Sequence, residues 1–107
     1  QHLLTAVVDL YWAAIDAAHA ALMVVGEIPP SPSHISEMID EKLVSKHHLS
    51  SHCGKIMADL YKVFKGITHR DVKSISAKDY ERYRQMADTF VDDMKTFIEH
   101  YRSENQG

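Results

Sequence analysis

Apolar residues recur every three or four positions along most of this chain, the spacing that places them on one face of an α-helix. Over His2 to Val25 the stripe is Leu4, Val8, Tyr11, Ile15, Ala18, Leu22 and Val25. Leu3, Val7, Ala14 and Ala21 widen it, and alanines at 13, 14, 17, 18, 20 and 21 favour helix and remove bulk, so a partner helix can come close. Gly26 fits the C-terminal cap of this helix, and Pro29, Pro30 and Pro32 block its continuation. A short amphipathic helix follows from about His34 to Val44, with Ser33 placed to cap it. Ile35, Met38, Ile39 and Leu43 form its apolar face, with Glu37, Asp40 and Glu41 toward water. A third helix, capped by Ser50 or Ser51, carries Ile56, Leu60, Val63 and Ile67 in period and stops around Lys65 to Thr68, where Gly66 favours an end. The fourth has the clearest start. Ser76 and Asp79 stand three apart, close to a capping box, and an aspartate suits the positive end of a helix. From about Lys78 to Tyr101 the residues Tyr80, Tyr83, Ala87, Phe90, Met94, Phe97 and Tyr101 make one continuous stripe.

These four segments predict an all-α fold, an antiparallel up-and-down bundle of four main helices. The chain of 107 residues is long enough for one domain, 1–107, with one modest core. The opening residue, Gln1 in place of methionine, leaves room for a reading as the C-terminal part of a longer chain. Asp16 and His19 interrupt the apolar stretch from Ala13 to Val25, which falls short of the roughly 20 apolar residues of a membrane span, so a buried helix and no membrane are expected. The single cysteine, Cys53, cannot form an intrachain disulfide, and a cytoplasmic location follows as the default. Cys53 itself reads as a small buried residue.

Net charge is −3, but its distribution is uneven. Residues 1–45 carry six acids against Lys42, residues 46–84 carry nine Lys or Arg against four acids, and residues 85–107 carry five acids against two bases. The middle third is therefore locally basic, which suits either a phosphate-holding face or a solvated helix surface, while the overall acidity argues against strong nonspecific DNA binding.

The candidate chemistry concentrates in "FKGITHRDVKSIS", residues 64 to 76, where periodicity fades. Lys62, Lys65, His69, Arg70 and Lys73 are the candidate phosphate- or nucleotide-binding residues. His69 can move a proton near neutral pH, and Lys65 or Arg70 can neutralise charge developing on a phosphate, so these three are the candidate catalytic set. An interhelical polar turn accounts for the same residues. Asp16 and His19 can share a helix face and hydrogen-bond. His47, His48 and His52 invite a metal reading, since His48 and His52 are four apart, but they read better as exposed histidines at a helix start. No metal and no cofactor is expected. There is no phosphate-cradling glycine loop.

"YWAAIDAAHAALMVVGEIPPSPSH", residues 11 to 34, resembles the first helix and proline-containing bend of the HEPN family, small helical domains often paired with minimal nucleotidyltransferases. "DLYKVFKGITHRDV" occupies the place of that family's polar motif, and "YRQMADTFVDDM" resembles its last helix. The resemblance covers almost the whole chain. It implies a HEPN-like bundle, a homodimer, and a nucleotide- or RNA-associated accessory module acting with a nucleotidyltransferase. The alternatives are a metal-independent ribonuclease of a toxin–antitoxin system and a structural dimerisation domain. The family's nucleases use an arginine, four to six intervening residues and a histidine. Here no arginine precedes His69. Lys65 comes with three residues between and Lys62 with six, and Arg70 follows the histidine. The noncatalytic role tolerates this departure better.

Overall fold

The computed structural model describes residues 2–105. All regular elements among them are helical. They are α1 (His2–Val24), α2 (Ile35–Ile39), α3 (His52–Thr68) and α4 (Ala77–Asn105). A 3₁₀ turn, Pro32–His34, leads into α2, and a π-helical segment, Asp40–Val44, extends it. The four-helix bundle anticipated from the periodicity is therefore present, packed into a rod of 49 × 22 × 18 Å.

The helices do not alternate strictly up and down. Leu3, Leu4 and Val7 at the start of α1 pack with Val63 and Ile67 at the end of α3 and with Tyr80 and Tyr83 at the start of α4. Further along, Leu10 and Ala13 face Ala87 and Val91. α1 and α4 thus run in the same direction and α3 runs against both. The cause is the length of the second element. Ten helical residues from Ile35 to Val44 rise only about 15 Å, less than half of the roughly 35 Å of α1, so this segment cannot return the chain to the other end. It caps the end where α1 stops, and α3 makes the return instead.

The α1–α4 pair forms the most extensive helix contact. Ala14, Ala18 and Ala21 are fully buried on α1 and Ala87 nearly so on α4, which is the close approach that the small residues permit. Ile35, Ile39 and Leu43 join them with Leu22, Cys53, Met57, Leu60, Phe90 and Met94 in the main core. Tyr11 is also fully buried and stacks on Phe64, with ring centroids 4.1 Å apart and planes at 11°. Its hydroxyl, and Nε2 of His19, find no hydrogen-bond partner among the described residues. By length and mean hydropathy, 1.4, α1 would be long and apolar enough to cross a membrane, contrary to the expectation drawn from Asp16 and His19. Its apolar positions are used otherwise: Val7, Tyr11, Ala14, Ile15, Ala18, Ala21 and Leu22 are buried in the bundle.

Three helix ends share one backbone device. After α1, Gly26 N–H donates to Met23 O and Glu27 N–H to Leu22 O. After the π-helical segment, His47 N–H donates to Val44 O and His48 N–H to Leu43 O. After α3, Arg70 N–H donates to Ile67 O and Asp71 N–H to Gly66 O. This pairing needs a residue with positive φ at the turn. Gly26 adopts it (φ 85°) at no steric cost, whereas His47 (φ 64°) and Arg70 (φ 63°) hold a Cβ in the left-handed region.

Candidate functional site

α3 determines where the candidate chemistry lies, because its two ends open onto two different grooves. At its C-terminal end, Lys62, half-buried Lys65 and His69 line a groove of about 620 Å³ with Asp59, Asp71 and, from α4, Arg82. Lys62, Lys65 and His69 lie at i, i+3 and i+7, on one helix face. His69 closes the helix, its N–H donating to Lys65 O at 2.9 Å. Arg70 and Lys73 do not join this group. They line a neighbouring depression with Leu4, Ile67 and Val72, on the far side of Val72. Val72 comes that close because Gly66 has no side chain: a Cβ there would lie 2.7 Å from Val72 Cγ2. The sequence-predicted set of Lys62, Lys65, His69, Arg70 and Lys73 is thus split in two.

Arg82 is the groove residue that sequence reasoning missed. It lies on the exposed face of α4, outside the apolar stripe, and nothing local ties it to His69. Its guanidinium sits 4.5 Å from the centroid of the Tyr83 ring, a cation–π contact that keeps a planar fork beside the groove. Asp59 is partly engaged, accepting from Lys55 Nζ at 3.4 Å.

At the N-terminal end of α3 the serines do not cap. Ser51 occupies the cap position without a side-chain bond. Ser50 Oγ lies 2.6 Å from His52 Nδ1 and 3.3 Å from Nε2. A hydroxyl within range of both ring nitrogens cannot lie along the lone pair of either, so this is not a nucleophile–base pair. His52 Nε2 donates to Asp93 Oδ2 on α4 at 2.7 Å, and Cys53 Sγ donates to the same oxygen at 3.6 Å. Cys53 is fully buried, and burial first, then the charge of Asp93, pushes its thiol up to about 12. It is therefore a thiol at neutral pH and no nucleophile.

The three clustered histidines go separate ways. His52 joins Asp93, His48 packs edge-on against Tyr101 and 5.0 Å from Phe97, and His47 holds the left-handed turn. His47, His48, His52, Asp93, His100 and Glu104 nevertheless line one groove of about 440 Å³. Only the tertiary fold brings Asp93 and His100 to it, 41 and 48 residues along the chain from His52.

Comparison with protein-family models, with curated proteins and with solved structures finds no match for this chain. The reading of function therefore rests on the two grooves.

Proposed function

We propose that the groove between α3 and α4 binds the phosphate of a nucleotide or of RNA, and that the domain works as a noncatalytic, HEPN-like accessory module. The single observation behind this reading is the convergence of Lys62, Lys65, His69 and Arg82 on one groove from two helices. Two lysines supply point charges, and the arginine supplies a bidentate fork suited to phosphate. The negative C-terminal end of α3 stabilises Lys65, the basic residue of its last turn, and opposes a bound anion, so the lysines and Arg82 together must outweigh it. Asp59 and Asp71 in the same groove moderate the charge, which fits a small phosphate group better than an extended duplex.

The absence of an arginine ahead of His69 favours binding over cleavage, since the family resemblance ties chemistry to that arrangement. The resemblance also implies a homodimer and a nucleotidyltransferase as partner, and sedimentation of the purified chain across micromolar concentrations tests the former.

The direct test is titration with adenosine mononucleotides and a short single-stranded RNA at two salt concentrations. Binding should weaken several-fold in Lys65→Ala and in Arg82→Ala. For the RNA, the slope of log affinity against log salt should fall by about 0.7 for each phosphate that the variant no longer neutralises. No binding at low salt, or binding indifferent to both substitutions, would overturn the reading. Cleavage of the RNA by the protein but not by His69→Ala would replace it with the ribonuclease alternative.

A further inference from the structure

The second groove lies at the opposite end of α3 from the groove proposed for phosphate. His52 and Cys53 in the first turn of α3 meet Asp93 from the middle of α4, and one nitrogen, one sulfur and one carboxylate oxygen lie within 4.8 Å of one another. We propose that these three side chains form a binding site for a divalent transition metal of zinc's softness, with a fourth position open to the groove lined by His48 and His100.

The donor set argues for this class of ion. Imidazole, thiolate and carboxylate together match Zn²⁺ or Co²⁺, whereas Mg²⁺ and Ca²⁺ take oxygen ligands. Two of the three spacings are close to what a tetrahedral ion needs, and the third, between the His52 nitrogen and Cys53 Sγ, lies within 4.8 Å and must close by up to about 1.2 Å. Bonds of about 2.0–2.3 Å at tetrahedral angles hold ligand atoms about 3.3–3.6 Å apart. Cys53 Sγ and Asp93 Oδ2 are already 3.6 Å apart. His52 Nε2 and Asp93 Oδ2, at 2.7 Å, must separate by roughly 0.6 Å. Both side chains can move that far, since their exposures are 50 % and 37 %.

Charge acts the same way. The carboxylate of Asp40 fills the space beside Gly54 that a Cβ would take, in the same first turn, so a cation beside Cys53 meets two carboxylates. On binding, Cys53 coordinates as thiolate and its proton passes to solvent, while the Nε2–H of His52 moves to Nδ1 so that Nε2 presents a lone pair. Three protein ligands with an open fourth position are the arrangement of metal sites that exchange a water or a small ligand.

Titrating the full chain with Co²⁺ and then Zn²⁺ tests the proposal. The expected result is one Co²⁺ per chain, a thiolate-to-cobalt charge-transfer band that Zn²⁺ abolishes, and an upward shift in Tm with either metal. Cys53→Ser should remove the band. Because that residue is buried, the surface substitutions His52→Ala and Asp93→Asn serve as the second arm: each should keep the helical circular dichroism and weaken Co²⁺ at least tenfold. His47→Ala should leave the affinity unchanged. Absence of the band at saturating Co²⁺, or equal affinity in His52→Ala and Asp93→Asn, would overturn the site. So would an affinity that depends on His47.

Discussion

At the end of the rod where α1 stops, histidines and carboxylates face a groove between the 47–52 turn and the second half of α4. At the other end, lysines and an arginine face a groove between the last turns of α3 and the first turns of α4. The two ends differ in sign because α3 runs from one to the other. Carboxylates, Asp40 and Asp93, gather at its positive N-terminus, and Lys65 lies in the last turn at its negative C-terminus, where each is stabilised by the helix dipole. Part of the charge separation is thus a consequence of helix direction. The left-handed His47 and Arg70 are not. A glycine would make either turn without strain, as Gly26 does, so these two turns carry side chains at a conformational cost.

The ends also differ in depth of core. Ile35, Ile39 and Leu43 are fully buried at the histidine end, whereas in the smaller cluster near the lysine end Val7 is fully buried and Val63 and Ile75 each retain 7 % exposure. The largest effects should follow this difference. Ile39→Ala should cost about 4 kcal/mol and Ile75→Ala about 2–3, read as urea midpoints at constant m. Equal costs would mean that the smaller cluster is as tightly packed as the main one.

High pH sharpens the comparison. Folding holds the Cys53 proton from its ordinary 9.0 up to about 12, through burial and then Asp93, and the Tyr11 proton from 10.0 up to about 12, through burial and then Tyr61. Across that window the unfolded chain binds fewer protons, so stability is intact below about pH 9 and falls as the pH rises toward 12. Cys53→Ala should delay the onset by about a pH unit, whereas Tyr11→Phe should leave the onset and shallow the later fall. Denaturation midpoints at pH 8, 9.5 and 11 give the answer, and an onset unmoved by Cys53→Ala would contradict the assignment.

The smallest effects concern the turns. Gly26→Ala should destabilise by about 1 kcal/mol, since it forces a Cβ into the left-handed region. His47→Gly and Arg70→Gly should each stabilise by roughly 0.5–1 kcal/mol by removing that strain, less what glycine adds to the freedom of the unfolded chain. Destabilisation by both substitutions would show that the His47 and Arg70 side chains hold their turns by interactions of their own.

The helices are legible in the sequence because each has its own apolar period. The start of α4 is legible because Ser76 Oγ accepts from Asp79 N–H at 3.0 Å, a bond made within four residues. What is not legible depends on direction. The shortness of the second helix is legible, but nothing local shows that it leaves the return to α3, and once α1 and α4 run parallel, the neighbours of every turn change. Lys62, Lys65 and His69 share a face by helical spacing alone, yet Arg82 reaches them only through tertiary packing. Arg70 follows His69 directly in sequence, but the left-handed turn swings it past Val72. Ser50 has the chemistry of a cap and lies against the His52 ring instead. Asp93, an ordinary polar position on α4, gives no sign in the sequence of meeting His52 and Cys53.

The most direct test of the phosphate groove is to add a short single-stranded RNA to isotopically labelled protein and follow the backbone amide resonances. The expected shifts are confined to residues 59–72 and 80–84, saturate with the RNA and need several-fold more RNA to saturate in Lys65→Ala, with residues 47–53 and 93–104 unmoved. Shifts centred on the histidine groove, or no shifts at low salt, would contradict it.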